Sequence, residues 1–277
     1  MKNKIAEPVG VSSWLVVEAR ERPLIVSMPH TGTYLPPEVA AAVISVELAR
    51  KDTDWHLQHL YGFVGDLGAT VIRTNVSRTV IDVNRDPAGH SLYPGRPTTE
   101  LCPTTTFDGE PLYKEKSAPT TREIATRRVS YFDPYHAALT SEIARLRAQY
   151  DQVLIYDCHS IRSVIPRLFD GVLPILNIGT NSGKSCSPSI TSDVEMICKR
   201  SSFNFIVDGR FKGGWITRHY GQPDHGVHAV QIEIALRGYM DEGNRSEFNP
   251  EKAKTMQNFL SIVISSLLDR MRFPITK

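Results

Sequence analysis

The sequence predicts an α/β layer sandwich built around a mixed, mostly parallel sheet. Three observations carry this expectation. Short apolar runs rich in β-branched residues alternate with stretches of helical period. The runs are bounded by Pro, Gly or polar residues, as buried strands are. Polar residues able to do chemistry stand where the runs end, which is where open α/β sheets bind ligands. The chain has 277 residues, and residues 1–277 are read as one domain.

The elements follow in order. Residues 23–28 (PLIVSM) form a buried strand ending at Pro29, and residues 37–50 form a helix with Pro at its start. Residues 54–67 place Trp55, Leu57, Leu60, Tyr61 and Val64 at mostly three- and four-residue steps, a second helix. Residues 69–73 (ATVIR) and 80–83 read as strands, and residues 86–116, rich in Pro, Thr and Gly, as one long ordered loop. Residues 134–150 are an amphipathic helix with Asp133 as its N-cap. Residues 153–156 (VLIY) are the strongest strand, with Asp157-Cys158-His159-Ser160 at its carboxyl end. Strands at 172–178 and 205–207 flank a polar helix over about 188–200. A strand at 229–234 and a long final helix capped by Asn249-Pro250 complete the chain.

Composition narrows the function. The chain is 41% hydrophobic and 22% charged, which excludes a disordered, collagen-like or coiled-coil protein. Lys+Arg minus Asp+Glu is 32 − 30 = +2, so no nucleic-acid or acidic membrane partner is indicated. Four cysteines without a CxxC pair exclude a disulfide scaffold and a thiolate zinc cluster. Residues 1–13 lack the apolar stretch of a signal peptide, and no apolar run approaches the ~20 residues of a membrane span. A cytoplasmic enzyme is the expectation.

His30 follows the first strand, His159 the strand at 153–156, Asp52 and Asp54 open the helix at Trp55, and Glu233 lies within an apolar strand. Two histidines and a carboxylate with one open position is the catalytic zinc pattern, and a separate Glu beside it is the general base. Each residue also has a plainer reading. A strand-end His often only satisfies a hydrogen bond. Asp52 suits an N-cap. Glu233 could sit in a buried ion pair with an arginine, since a lone carboxylate in an apolar strand costs several kcal/mol. Arginines 73, 78, 85, 162, 167, 210 and 218 form no basic run. Converging on a pocket, they would imply an anionic, dicarboxylate small molecule.

The stretches PLIVSMPHTGTYLP (23–36), DTDWHLQHLY (52–61), SRTVIDVNRDP (77–87), ELCPTTTFDGEPLY (100–113), DCHSIRSVIPRLFDG (157–171), LNIGTN (176–181), GRFKGGWITRHYGQP (209–223) and GVHAVQIEIALRGYM (226–240) resemble, in order, the N-formylglutamate amidohydrolase (deformylase) family. The resemblance implies a three-layer α/β/α sandwich similar to zinc carboxypeptidases and aspartoacylase. It also implies hydrolysis of N-formyl-L-glutamate to formate and L-glutamate in histidine degradation, with one Zn2+ per chain. By that likeness His30 and His159 are metal ligands, Glu233 is the catalytic carboxylate, and Asn84-Arg85 grips a substrate carboxylate. Carboxypeptidases place their acidic ligand three residues after the first His, where this chain has Thr33. Asp54 is the choice for that ligand, with Asp52 second. Cys158 stands where Ala is expected, and its strand position turns it to the opposite face from His159. Arg85, Arg162 and Arg218 are candidates to hold the oxyanion, and Arg162 or Arg218 the second substrate carboxylate. The alternatives are a related metal-dependent deacylase of another N-acyl acidic amino acid, and a metal-free binding protein on the same fold. A serine hydrolase using Ser160 and His159 is disfavoured, because neighbours on a strand diverge and no GxSxG elbow is present.

Overall fold

A computed structural model describes residues 14–243 and 247–271. The reading of residues 1–13 therefore lies outside the described residues. A seven-stranded sheet runs through the molecule in the order β1-β3-β2-β4-β7-β5-β6. The strands are β1 (Leu15–Glu18), β2 (Leu24–Met28), β3 (Thr70–Thr74), β4 (Val153–Ile161), β5 (Leu176–Gly179), β6 (Phe205–Val207) and β7 (Val227–Ala235). β3, β2, β4 and β7 are mutually parallel, while β1 on β3 and β5 on β7 are antiparallel. The four parallel strands thus deliver their carboxyl ends to one edge.

Helices cover both faces. α3 (Leu57–Leu60), α6 (Pro188–Lys199) and α8 (Pro250–Arg270) pack with Val26, Tyr156, Cys158 and Ile232 on one face. On the other, α5 (Asp133–Arg147) and α7 (Trp215–Tyr220) pack with Ile25, Val153, Ile155 and Ala229. Eight side chains of α8 are buried, from Ala253 to Leu268. Burying each large one contributes roughly 1.5–3 kcal/mol. Among the described residues no helix is long and apolar enough to cross a membrane.

Several boundaries differ from the sequence expectation, each for a tertiary reason. The helix expected over 37–50 is two helices, α1 (Pro37–Ala42) and α2 (Val46–Ala49). Between them Val43 bridges Tyr113, Ile44 N–H donates to Leu112 O, and Ser45 caps α2. In 54–67 only α3 is regular helix, because glycines at 62, 65 and 68 follow it, with Gly68 at φ 79°. Residues 80–83 are turn and loop rather than strand, and their apolar character reflects burial of Val80, Ile81 and Val83. Asp133 is not a cap. α4 (Thr121–Arg127) begins at a capping box of Thr120 and Glu123 and runs through a π-turn, Arg128–Phe132, directly into α5. Asp52 is not a cap either, since its carboxylate accepts from Phe107 N and Arg162. The strand at 153–156 continues to Ile161, so His159 lies within it. The strand expected from 172 begins at Leu176.

Candidate active site

β4 continues past the last residue of β2, with Ser27 opposite Asp157. The chain leaving β2 can therefore fold His30 back over the exposed end of β4. His30 O accepts from Asp54 N at 3.0 Å, tying the loop after β2 to the segment leading to α3. On the other side of β4, His159 pairs in register with Glu233 of β7, and Asp157 with Gln231. Strand alternation puts all four side chains on one face.

The two imidazoles meet through Nδ1, 3.2 Å apart. Asp54 Oδ2 lies 3.1 Å from Nδ1 of His159 and 3.7 Å from Nδ1 of His30. The opposite ring nitrogens face carboxylates: His30 Nε2 is 2.6 Å from Asp82, and His159 Nε2 is 3.1 Å from Asp157. Carboxylates there accept Nε2–H and leave both Nδ1 lone pairs turned to Asp54, the outer arrangement typical of histidine metal ligands. Two lone pairs and a carboxylate facing one another repel unless protons or a metal cation stand between them. Asp54 Oδ1 is buried without a hydrogen bond, with Arg78 Nη1 3.8 Å away. This donor set, two imidazole nitrogens and one carboxylate within 4.8 Å, fits a divalent metal.

With protons between them, the same groups shift one another's titration. Burial opposes ionisation of Asp54, but hydrogen bonds from His159 and His30 overrule it and hold the carboxyl below the usual range. Burial likewise pushes His159 down, yet Asp157 and Asp54 hold it well above an ordinary imidazole. Asp82 is kept ionised against burial by His30, Arg78 and Arg85. Glu233 differs. Burial pushes its carboxyl up to about 8, Asp54 and Asp157 add to the rise, and His159 and Arg78 oppose it. Its Oε2 accepts only a 3.4 Å contact from Gln231, and among the described residues it has no ion pair, contrary to the plainer reading of this residue.

A cleft opens over this cluster, lined by His30, His159, Glu233 and the guanidinium groups of Arg78, Arg85 and Arg210. Asn84 lies in its wall, with its amide near His159 Nε2 (2.8 Å) and Asp157 (3.1 Å) and its Oδ1 accepting from Ile216 N. Gly214 packs against this amide so closely that a Cβ there would fall 2.4 Å from Asn84 Nδ2. Arg85 reaches Thr99 and Asp82. Arg162 and Arg218 are not among the lining residues. Arg162 is held by Asp52 and Asp108, and Arg218 donates to Gly213 O and packs on Tyr93. Cys158 faces the apolar core, and burial pushes its thiol well up. Sequence reasoning gave no role to Asp82, Asp157 or Gln231, or to Arg210 beyond the general arginine cluster. Asp82 shares the signal that flagged Glu233, a carboxylate inside an apolar run (TVIDV).

A histidine–aspartate–histidine set able to hold a metal, beside an unpaired carboxyl at the carboxyl edge of an α/β sheet, defines a class: enzymes that hydrolyse amide or ester bonds. Comparison narrows the class. The chain belongs to the N-formylglutamate amidohydrolase family, whose profile matches residues 22–240, and it is an enzyme of amide hydrolysis. It is 44% identical over 247 residues to the N-formylglutamate deformylase of Pseudomonas aeruginosa, covering 89% of this chain and 92% of that one. It is 43% identical to the N-formylglutamate deformylase of Pseudomonas putida over the same shares. The crystal structure of an N-formylglutamate amidohydrolase from Ralstonia eutropha JMP134 superposes with a TM-score of 0.79 at 28% identity, covering 93% of this chain and 98% of that one. A gene product of Agrobacterium tumefaciens shares the fold, with a TM-score of 0.68 at 17% identity over 92% and 96% of the two chains.

Proposed function

We propose that this protein hydrolyses N-formyl-L-glutamate to formate and L-glutamate, with one zinc ion per chain held by His30, Asp54 and His159. The observation that carries the reading is the convergence of both Nδ1 atoms on Asp54, in the same cleft as Glu233 and three arginines. When bound there, zinc supplies Lewis acidity toward the formyl oxygen and the attacking water. Glu233 does the proton work. A carboxyl titrating near neutral pH accepts the proton of the attacking water and returns it to the amine as the C–N bond breaks. Arg85 holds the α-carboxylate and Arg78 faces the developing oxyanion. Asn84 serves by fixing Asp157, which accepts His159 Nε2–H, since its amide donates to Asp157 and accepts from Ile216 N.

The family resemblance supports a part in histidine breakdown, and the cytoplasm is the compartment inferred from composition. Four buried, unpaired cysteines fit a reducing compartment. The test is kcat/KM on N-formyl-L-glutamate, N-acetyl-L-glutamate and N-acetyl-L-aspartate, with and without chelator. The expected result is preference for the formyl substrate and loss of activity on chelation, restored by zinc. Preference for an acetyl substrate would assign the protein to a related deacylase, and chelator-resistant turnover would remove the metal from the reaction.

A further inference from the structure

Of the three arginines lining the cleft, two have carboxylate partners. Arg78 is paired with Asp82 at 2.7 Å, and Arg85 lies 3.4 Å from the same carboxylate. Arg210 has no ion pair among the described residues. It is nonetheless firmly placed. Its Nε donates to Leu168 O at 2.6 Å, and its guanidinium packs 5.2 Å from the Tyr93 ring and 5.1 Å from the Phe211 ring. Tyr93 is fixed in turn: its hydroxyl donates to Gly213 O and accepts from Lys212 N. At the start of this segment Asp208 accepts from Thr180 N at 2.8 Å. The guanidinium is therefore preorganised, while its Nη1 is buried without a hydrogen-bond partner. Burial disfavours its charge, Arg96 and Arg85 add repulsion, and only Tyr93 and Glu233 oppose them. A half-buried cation with one buried, idle donor, beside a second cation in one cleft, is costly unless an anion completes it.

We propose that Arg210 is the specificity residue that receives a second carboxylate of the substrate, on the edge the protein leaves unpaired. The assignment rests on the function proposed above. It displaces Arg162, which Asp52 and Asp108 hold, and Arg218, which does not line the cleft. A planar fork held on two rings meets a carboxylate with little loss of side-chain freedom, so charge is read by direct pairing.

The test compares zinc-loaded parent, Arg210→Gln and Arg210→Lys on N-formyl-L-glutamate and N-formyl-L-glutamine, which differ only in the second carboxylate. Calorimetric binding of glutarate is the readout independent of turnover. In Arg210→Gln the preference for N-formylglutamate should collapse by roughly 30- to 1000-fold, mostly through KM, and glutarate binding should weaken by a similar factor. Arg210→Lys should recover part of both, since it keeps charge without the fork. It also serves as the test if Arg210→Gln does not fold. Unchanged preference and unchanged glutarate binding in a folded, zinc-loaded variant would overturn the assignment while leaving the deformylase reading intact. If the parent hydrolysed neither formyl compound but bound glutarate through Arg210, the deformylase reading would fall and the assignment would stand.

Discussion

β4 and β7 present two faces built from alternating residues of the same strands, and the faces have opposite chemistry. Tyr156, Cys158, Ile232 and Ile234 pack into the apolar layer beneath α8. Asp157, His159, Gln231 and Glu233, one residue out of step, form the floor of the site. Both faces are almost wholly buried. On the apolar face burial itself stabilises, and neighbours are interchangeable in kind. On the polar face burial is a cost, offset only where each charge meets its specific partner. Asp157 has such partners and Glu233 does not. The contrast separates residues that hold the sheet together from one kept poised for reaction.

The comparison can be broken at either face. The largest expected effect is from His159→Ala. Zinc retention should fall by more than the 10- to 100-fold typical of losing an outer partner of a ligand, and turnover should fall with it. Metal analysis and kinetics check this, and a variant that keeps its zinc would remove His159 from the ligand set. Glu233→Gln should keep its metal yet lose about 10²- to 10⁴-fold in kcat. Near-normal turnover would leave the unpaired carboxyl without a chemical role. On the apolar face, Leu154→Ala should cost about 2–5 kcal/mol in denaturant unfolding while kcat per folded molecule stays unchanged.

A smaller effect is expected in the helical layer over the polar face. His136 donates Nε2–H to Val83 O and accepts at Nδ1 from Tyr220, and burial pushes its imidazole down to about 4. Between the ordinary value of 6.5 and about 4 the unfolded chain binds a proton that the folded chain refuses. His136 therefore contributes stability above pH 6.5 that is lost as pH falls toward 4, at most roughly 3 kcal/mol. The stability gap between parent and His136→Gln should narrow over that window, and a constant gap would contradict the neutral imidazole. Smallest of all, Cys158→Ala should change stability by only about 1 kcal/mol and leave zinc content untouched. Loss of zinc would mean that the two faces communicate.

The sequence carried the histidine–aspartate–histidine cluster better than the charge partners. His30, His159 and Glu233 stand at strand ends or inside an apolar strand and Asp54 at a helix start, positions that periodicity reveals. The family resemblance raised His30, His159 and Glu233 as well. The resemblance leaves the acidic position open at Thr33, and the preference for Asp54 over Asp52, read as an N-cap, has its cause in the fold. Asp52 is drawn away by Phe107 N and Arg162. Arg162 was expected in the cleft for its place in a distinctive stretch, but which acid an arginine meets depends on loops distant in sequence, here Asp108. The apolar run at 80–83 suggested a strand because apolar content reports burial, and a buried turn has the same content. Asp133 suggested a cap because Asp-Pro usually opens a helix. A π-turn carries α4 through that point, which no local residue pattern announces.

Gly214 lines the cleft without a side chain to do chemistry, and that lack is what lets the Asn84 amide sit flush against the chain entering α7. From there the contact runs to Asp157 and His159. A single methyl group at this position would act as a wedge. Its damage would surface two residues away in space, as a tilted imidazole at His159. Variation here would be scored as a loss of catalysis by assay, while its origin would be a matter of clearance.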